Sequence, residues 1–309
     1  MQPILPADQR PRLRVCRSHQ HNGRRRALTV LELLVTVAVI GTLAGLVLPA
    51  VGSVRESARR VQCVEHFREI GLALHSHHHS QRHLPAGWAF DPRSETAYGW
   101  AVPILPLLGQ PALADRIETD QSVLDPRHEA VRHTSLALLL CPSDIAERQF
   151  VLFADDGDDD ESHSLGDHAV AIAPAELVEL PTANYVGVFG TLEPDDAIPA
   201  PVGDGAFLEN RQTRFRDFRR GLSVTLVVGE RTMAQVPSTW LGVDLSGEDA
   251  AARLVGSALE GINSPVADEC DFSSRHPGGA NFLWGDGHVS FLTEQIDLRL
   301  YHESAKLRR

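Results

Sequence analysis

The pattern of apolar and polar positions divides the chain into a long helical segment and a strand-rich body. Residues 33–54 contain no charged side chain and are mostly Leu, Val, Ala, Ile and Gly. A helix of about 20 apolar residues crosses the hydrocarbon core of a bilayer. From Val54 to Leu74, apolar residues then recur at spacings of three and four, with arginines and glutamates between them. This spacing is typical of an amphipathic helix. We therefore predict one helix that spans a membrane over residues 28–54 and continues as an amphipathic helix over 55–80.

The body of the chain, residues 81–309, has the pattern of short strands. Short apolar runs alternate with Gly, Pro and Asp, which favours strands and turns. The predicted strands cover 135–140, 184–189, 224–229, 239–243, 280–284 and 288–292. The last two are joined by Gly285-Asp286-Gly287, which predicts a β-hairpin, and the acidic residues 154–167 are predicted to form a loop. The predicted fold class is α+β, with the long N-terminal helix packed on a mainly antiparallel sheet.

The distribution of charge changes this picture by separating a basic leader from an acidic body. Residues 1–27 contain seven arginines and one acidic residue, whereas the whole chain has a net charge of −12. Because arginines before the apolar segment outnumber those just after it, the N-terminus is predicted to stay in the cytoplasm and the body to be exported. An acidic body is poorly suited to displacing counterions from phosphates, so nucleic acid is not an expected partner.

A single carboxylate, Glu32, stands at the entrance of the apolar segment. A charged side chain in the membrane costs about 2.5–3.5 kcal/mol on insertion scales, so such residues are commonly functional. Glu32 could pair with the α-ammonium group of a neighbouring subunit, which would neutralise two charges in the lipid. An ordinary signal peptide also combines a basic and an apolar region, and an uncleaved signal anchor is a further alternative.

The sequence around this glutamate resembles the type IV prepilin cleavage and methylation signal. Residues 26–34 read Arg-Ala-Leu-Thr-Val-Leu-Glu-Leu-Leu, and the resemblance places the cut between Ala27 and Leu28, which makes Glu32 the fifth mature residue. The chain departs from the family at Ala27, where Gly is usual, and at Leu28, where Phe is commoner. The resemblance implies a prepilin peptidase as a partner, N-methylation of Leu28, and a recognition or assembly role for Glu32.

Blocks of the body extend the resemblance. Those blocks are Gln62-Cys63, residues 71–75, 84–87, 140–144, 184–187, 228–231 and 276–281. His276 is followed by nine residues and then Asp286-Gly287, so the chain is similar to the "H-X9-DG" family, a group of prepilin-type proteins that carry a domain of unknown function. Its glycine-rich C-terminal tail is missing here, since the chain ends in Lys-Leu-Arg-Arg.

The resemblance implies a pseudopilin-like structural or assembly protein of a type II secretion or type IV pilus-like system. Its expected partners are other pilin-like subunits and the inner membrane, which it would cross once with the body on the extracytoplasmic side. We predict no enzymatic activity, no cofactor and no bound metal. A role of His276, Asp286 and Gly287 in the local structure is the favoured interpretation of the family motif.

The cysteines leave two arrangements open. Cys63, Cys141 and Cys270 lie beyond the leader, and Cys16 lies within it. In an exported protein one disulfide is expected, and Cys63–Cys141 is the pairing we favour. Three buried thiols are the alternative.

The sequence also leaves open two other functions and further sites for metal ions. A metal-dependent hydrolase could use His276, Asp286 and His288, and a membrane-anchored module could bind an extracellular ligand through loops around Trp88, Trp100 and Trp240. Metal binding by His75 and His79, or Ca²⁺ binding by the acidic loop, is also open. For the His276 site, the histidine pair and the acidic loop, a purely structural or solvent-exposed role is the favoured interpretation.

Overall fold

A computed structural model describes residues 29–144, 147–155, 174–195 and 199–308. The chain divides into two compact units, one ending at Gly52 and the other running from Ser53 to the C-terminus. The N-terminal leader, residues 145–146, most of the acidic loop at 154–167 and residues 196–198 lie outside the described residues.

Helix α1, Val30–Gln81, is 52 residues long. In the first unit its apolar side chains, such as Leu34, Ile40 and Leu46, are exposed. None of the residues in the most apolar stretch of this helix is buried. By length and composition this helix is a candidate membrane span. An N-terminal signal sequence can have the same length and composition. The predicted apolar helix is therefore present.

The second unit contains the amphipathic part of α1 together with short helices and eleven strands within the described residues. The short helices are α2 (Pro111–Ala114), α3 (Glu129–Arg132) and α4 (Leu298–Ala305). The strands are β1 (Trp88–Asp91), β2 (Thr96–Gly99), β3 (Gln149–Phe153), β4 (Glu176–Ala183), β5 (Tyr185–Gly190), β6 (Leu226–Glu230), β7 (Ser238–Thr239), β8 (Gly242–Asp244), β9 (Val255–Ser257), β10 (Gly279–Trp284) and β11 (Val289–Thr293).

These strands form three sheets. The largest has the order β11-β10-β6-β5-β9, and two three-stranded sheets have the orders β1-β2-β8 and β3-β4-β7. Every described pairing of strands is antiparallel except β5–β9. The predicted α+β class with mainly antiparallel sheets is confirmed.

The inner strands of the five-stranded sheet, β10, β6 and β5, are buried on both faces, whereas the edge strand β11 is partly exposed. On one face Phe67 of α1 packs against Tyr185, with ring centroids 4.6 Å apart. On the other face Tyr301 of α4 packs against Phe282. Because successive side chains of a strand point to opposite faces, a strand buried on both sides is a continuous apolar run, as the sequence of β5 is.

One predicted strand is wrong, and another is divided into two strands. Residues 135–140 do not form a strand, since Ala137–Leu139 is a 3₁₀ helix. Its buried leucines, Leu136 and Leu139, are three positions apart, which suits a 3₁₀ turn rather than a pleated strand. Residues 239–243 are divided between β7 and β8, because the chain passes there from one small sheet to the other. The hairpin at 280–292 is confirmed as β10 and β11.

Candidate functional site

Four polar side chains from distant parts of the sequence meet inside the second unit. Cys63, Cys141, Glu230 and His276 are all buried, and their donor atoms lie within 4.8 Å of one another. The two sulfur atoms are 3.4 Å apart. Nε2 of His276 lies 3.2 Å from the sulfur of Cys63 and 3.5 Å from that of Cys141. Its distance to Oε1 of Glu230 is 3.4 Å. We refer to these four residues as the Cys-His-Glu cluster.

Each member of the cluster stands on a different element. Cys63 lies on the amphipathic part of α1, and Cys141 follows the 3₁₀ helix Ala137–Leu139. Glu230 is the last residue of β6, and His276 lies in the loop before β10. All four stand in sequence blocks that carried the family resemblance. The cluster therefore joins α1 to three separate parts of the body.

The imidazole of His276 is oriented by a carboxylate on α1. Its Nδ1 lies 2.6 Å from Oε1 of Glu56, and Glu56 is in turn bonded by Arg59 and Ser143. Burial opposes ionisation of Glu56, but its bonds to His276, Arg59 and Ser143 outweigh burial and lower its pKa. Because an ionised carboxylate can only accept, Nδ1 carries a proton and donates a hydrogen bond to Glu56.

Glu230 and Cys141 are also held by neighbouring amides. Both carboxylate oxygens of Glu230 accept hydrogen bonds from Asn281, one from its backbone N–H at 2.7 Å and one from its side chain at 3.0 Å. The backbone N–H of Cys141 donates to the side-chain oxygen of Asn184 at 2.8 Å. The donor atoms are therefore fixed in place by the surrounding fold.

The electrostatics of the cluster couple the thiols to the histidine. The hydrogen bond from Cys63 is the main influence that lowers the pKa of Cys141, with a further contribution from His276, while burial acts in the opposite direction. Burial would lower the pKa of His276, but its contacts with Cys141, Glu230 and Glu56 raise it to about 10. A thiol, an imidazole and a carboxylate in series could form a nucleophile. Here Cys63 and the side chain of His276 are fully buried, and Cys141 is 6% exposed.

The predicted disulfide partners are neighbours, and in this structure Cys63 and Cys141 are free thiols, as Cys270 is. Cys270 lies elsewhere, with its sulfur 3.1 Å from Oδ1 of Asp195. The Cys63–Cys141 disulfide stays a prediction, but the two sulfurs it would join belong to the cluster.

The other residues of the H-X9-DG motif lie at the far end of β10. Oδ1 of Asp286 accepts a hydrogen bond from the backbone N–H of His288 and lies 2.6 Å from its Nδ1, at an exposed turn. Gly287 has a φ of 91°, a conformation that glycine adopts without strain. Strand β10 has six residues and therefore separates His276 from Asp286 by roughly 17 Å at about 3.3 Å per residue. The acid–base pair that a hydrolase at His276 and Asp286 requires is not formed.

At the N-terminal site, Ala27 and Leu28 lie outside the described residues, whereas Glu32 is described. Its Oε2 accepts hydrogen bonds from the backbone N–H of Thr29 at 2.8 Å and from the hydroxyl of Thr29 at 2.9 Å. The backbone N–H of Glu32 donates back to the hydroxyl of Thr29. This reciprocal arrangement is a capping box, and sequence reasoning missed it although Thr29 and Glu32 have its spacing.

The remaining predicted sites have structural contacts. Nε2 of His75 lies 3.0 Å from the carbonyl oxygen of Gly285, so His75 is engaged with the hairpin turn. Trp88, Trp100 and Trp240 are buried core residues, so they do not form an exposed aromatic surface for an extracellular ligand. Most of the acidic loop predicted for Ca²⁺ lies outside the described residues.

Sequence reasoning paired Cys63 with Cys141 and singled out His276, but it did not place the histidine beside the cysteines, and it missed Glu56 and Glu230. The only available signal was that Glu230 and His276 stand in blocks of the family resemblance.

Comparison with protein families gives one match. The model of a family described as "Protein of unknown function (DUF1559)" matches residues 52–299, which is most of the second unit. No curated protein and no solved structure matches the chain.

Proposed function

The chain belongs to the DUF1559 family of proteins of unknown function, which is associated with H-X9-DG pilin-like proteins. Because the family name gives no function, we propose one from the elements and contacts of the chain itself. The protein is a pseudopilin-like subunit of a type II secretion or type IV pilus-like system. A prepilin peptidase cuts between Ala27 and Leu28, the apolar part of α1 anchors the protein in the inner membrane, and the body lies outside the cytoplasm. It assembles with other pilin-like subunits through α1.

The observation that carries this proposal is the contrast between the two parts of α1. In the first unit, Leu34, Ile40 and Leu46 are 63%, 66% and 73% exposed. In the second unit, Phe67 and Ile70 are fully buried in the core of the body. The exposed apolar surface of the first unit needs lipid or other helices around it. The apolar face of α1 in the second unit is already packed against the body of the same chain.

The carboxylate of Glu32 supports assembly in addition to anchoring. A membrane anchor needs no charge at its entrance, and insertion of a carboxylate is costly. The capping box gives Glu32 a local role, since it satisfies donors at the start of the helix. In a mature chain that starts at Leu28, the same carboxylate belongs to the fifth residue and could exchange the Thr29 bonds for the α-ammonium group of a neighbouring subunit.

Two substitutions separate the local role from the assembly role. Glu32→Gln removes the charge but keeps a side chain that can complete a capping box, whereas Glu32→Val removes both. We expect both variants to reach the membrane and to lose co-assembly with wild-type subunits, measured by cross-linking between cysteines introduced into the apolar part of α1. Leu46→Val, in the same segment, is the matched control and should assemble normally.

Normal assembly of Glu32→Gln with loss only in Glu32→Val would make Glu32 a helix cap alone. Normal assembly of both variants would favour a simple anchor.

A membrane-anchored ligand-binding module is the second candidate, and one observation favours it. The second unit has a cavity of about 400 Å³ whose lining includes Trp88, Asp195, Glu209 and Glu269. Its acidic lining would suit a cationic ligand. Under this alternative Glu32→Val leaves both membrane localisation and ligand binding intact.

A further inference from the structure

We propose that Cys63, Cys141, Glu230 and His276 bind one zinc-class divalent cation, which forms a structural metal centre in the second unit. This inference is independent of processing and assembly, because it concerns only the body and the amphipathic part of α1.

The spacing of the donor atoms fits a tetrahedral ion. Zinc binds sulfur at about 2.3 Å and nitrogen or oxygen at about 2.0–2.2 Å, so tetrahedral ligand atoms lie about 3.3–3.8 Å from one another. The sulfur–sulfur distance of 3.4 Å and the two sulfur–Nε2 distances of 3.2 and 3.5 Å are close to this range. The distance of 3.4 Å between Nε2 and Oε1 of Glu230 falls within it.

The contacts of the cluster converge on Nε2 of His276, which is the arrangement that a shared cation would require. Two sulfurs and one carboxylate oxygen surround this single nitrogen. An imidazole nitrogen has either one N–H or one lone pair, so it can satisfy only one of these three neighbours. A cation at the centre of the four donors satisfies all of them at once.

The contacts around the cluster are those that a metal-binding histidine needs. Nδ1 of His276 donates to Glu56, so Nε2 faces the sulfurs, and its lone pair becomes available to a cation once this nitrogen loses its proton. Histidine ligands of metals almost always donate their other N–H to a carboxylate, a carbonyl or water. Arg59 and Ser143 hold Glu56 in position, so the ring orientation is fixed before any metal binds.

The donor types select the metal and the role. Thiolate and imidazole ligands favour zinc and other soft or borderline ions over Mg²⁺ and Ca²⁺. Four protein ligands in a buried site leave no open position for water or substrate, which is typical of structural zinc. Binding releases to solvent the protons that the two sulfurs and Nε2 of His276 carry, because thiolates and a neutral imidazole are the ligands.

The centre would fasten α1 to the body. Cys63 is separated by 78 residues from Cys141 and by 213 residues from His276 along the chain. One ion would therefore cross-link the amphipathic helix to the loop after Ala137–Leu139, to the end of β6 and to the loop before β10. In the proposed subunit, this attachment holds the amphipathic part of α1 on the exported body.

Elemental analysis of the full chain tests the proposal. The protein is extracted in detergent and purified with a tag that contains no histidine, in buffers without chelator. We expect one zinc per chain, and we expect Cys141→Ser and Glu230→Gln to lose most of it. Cys270→Ser is the matched control: it changes the third buried cysteine, which lies with Asp195 and Glu269 in a separate group of donor atoms, and it should retain the zinc.

Cobalt substitution keeps the test valid if a variant fails to fold. Wild-type protein loaded with Co²⁺ should show the intense visible bands of a tetrahedral site and thiolate-to-cobalt charge transfer, and Zn²⁺ should displace both. Three results would overturn the proposal: a metal-free wild-type chain with a Cys63–Cys141 disulfide, zinc that is retained in Cys141→Ser, or zinc that is lost in Cys270→Ser but kept in Glu230→Gln. An octahedral cobalt spectrum without charge transfer would overturn it as well.

Discussion

The most direct consequence of the fold for stability is that one side chain of α1 carries a large share of the attachment between this helix and the sheet. Phe67 is fully buried, and its ring lies 4.6 Å from that of Tyr185 on β5. Substitution of a buried Phe by Ala removes apolar contacts and leaves a cavity, at a cost of about 3–5 kcal/mol. We therefore expect Phe67→Ala to lower the free energy of unfolding of the full chain by about 4 kcal/mol.

A matched control is available one and a half turns further along the same helix. Leu72 is 70% exposed, and surface substitutions usually change stability by less than about 0.5 kcal/mol. Leu72→Ala should therefore be nearly neutral. The assay is denaturant unfolding in detergent followed by tryptophan fluorescence, since Trp88, Trp100 and Trp240 are buried in the body. Equal effects of Phe67→Ala and Leu72→Ala would refute the packing of this helix face on the sheet.

Three further substitutions test other parts of the account. Arg231→Lys should destabilise the chain by about 2 kcal/mol or more in the same assay, because the buried guanidinium donates to Ser238, Val255 and Glu269 and a lysine lacks this fork of donors. Asp297→Ala should cost about 1 kcal/mol, since Asp297 caps α4 by accepting from the backbone N–H of Leu300; an unchanged unfolding midpoint would contradict this. Glu56→Gln should weaken zinc binding by about 10–100-fold in competition with a colorimetric chelator, and unchanged affinity would show that Glu56 does not orient His276.

Much of the fold follows from local pattern. The apolar run at 33–54 and the three- and four-residue spacing after it predicted α1, and a glycine-flanked turn predicted the hairpin of β10 and β11. Both features depend on residues that are near one another in the sequence. The 3₁₀ helix Ala137–Leu139 was mistaken for a strand because a short leucine-rich run has no period that distinguishes the two.

The Cys-His-Glu cluster could not be predicted in the same way. Its residues come from four elements, and the contact that orients His276 joins it to Glu56 across 220 positions. Local spacing carries no information on such contacts, and Asp286, which is near His276 in the sequence, is separated from it by β10. The motif spacing suggested a pair at His276 and Asp286, whereas the tertiary fold gives His276 other partners.

The central claim is that the chain is processed and anchored as a pilin-like subunit, and the intact mass of the membrane-extracted protein tests it most directly. We expect a chain that begins at Leu28 with one added methyl group and retains the whole of α1. A chain that still begins at Met1, or one that has lost the apolar segment 33–54, would contradict it.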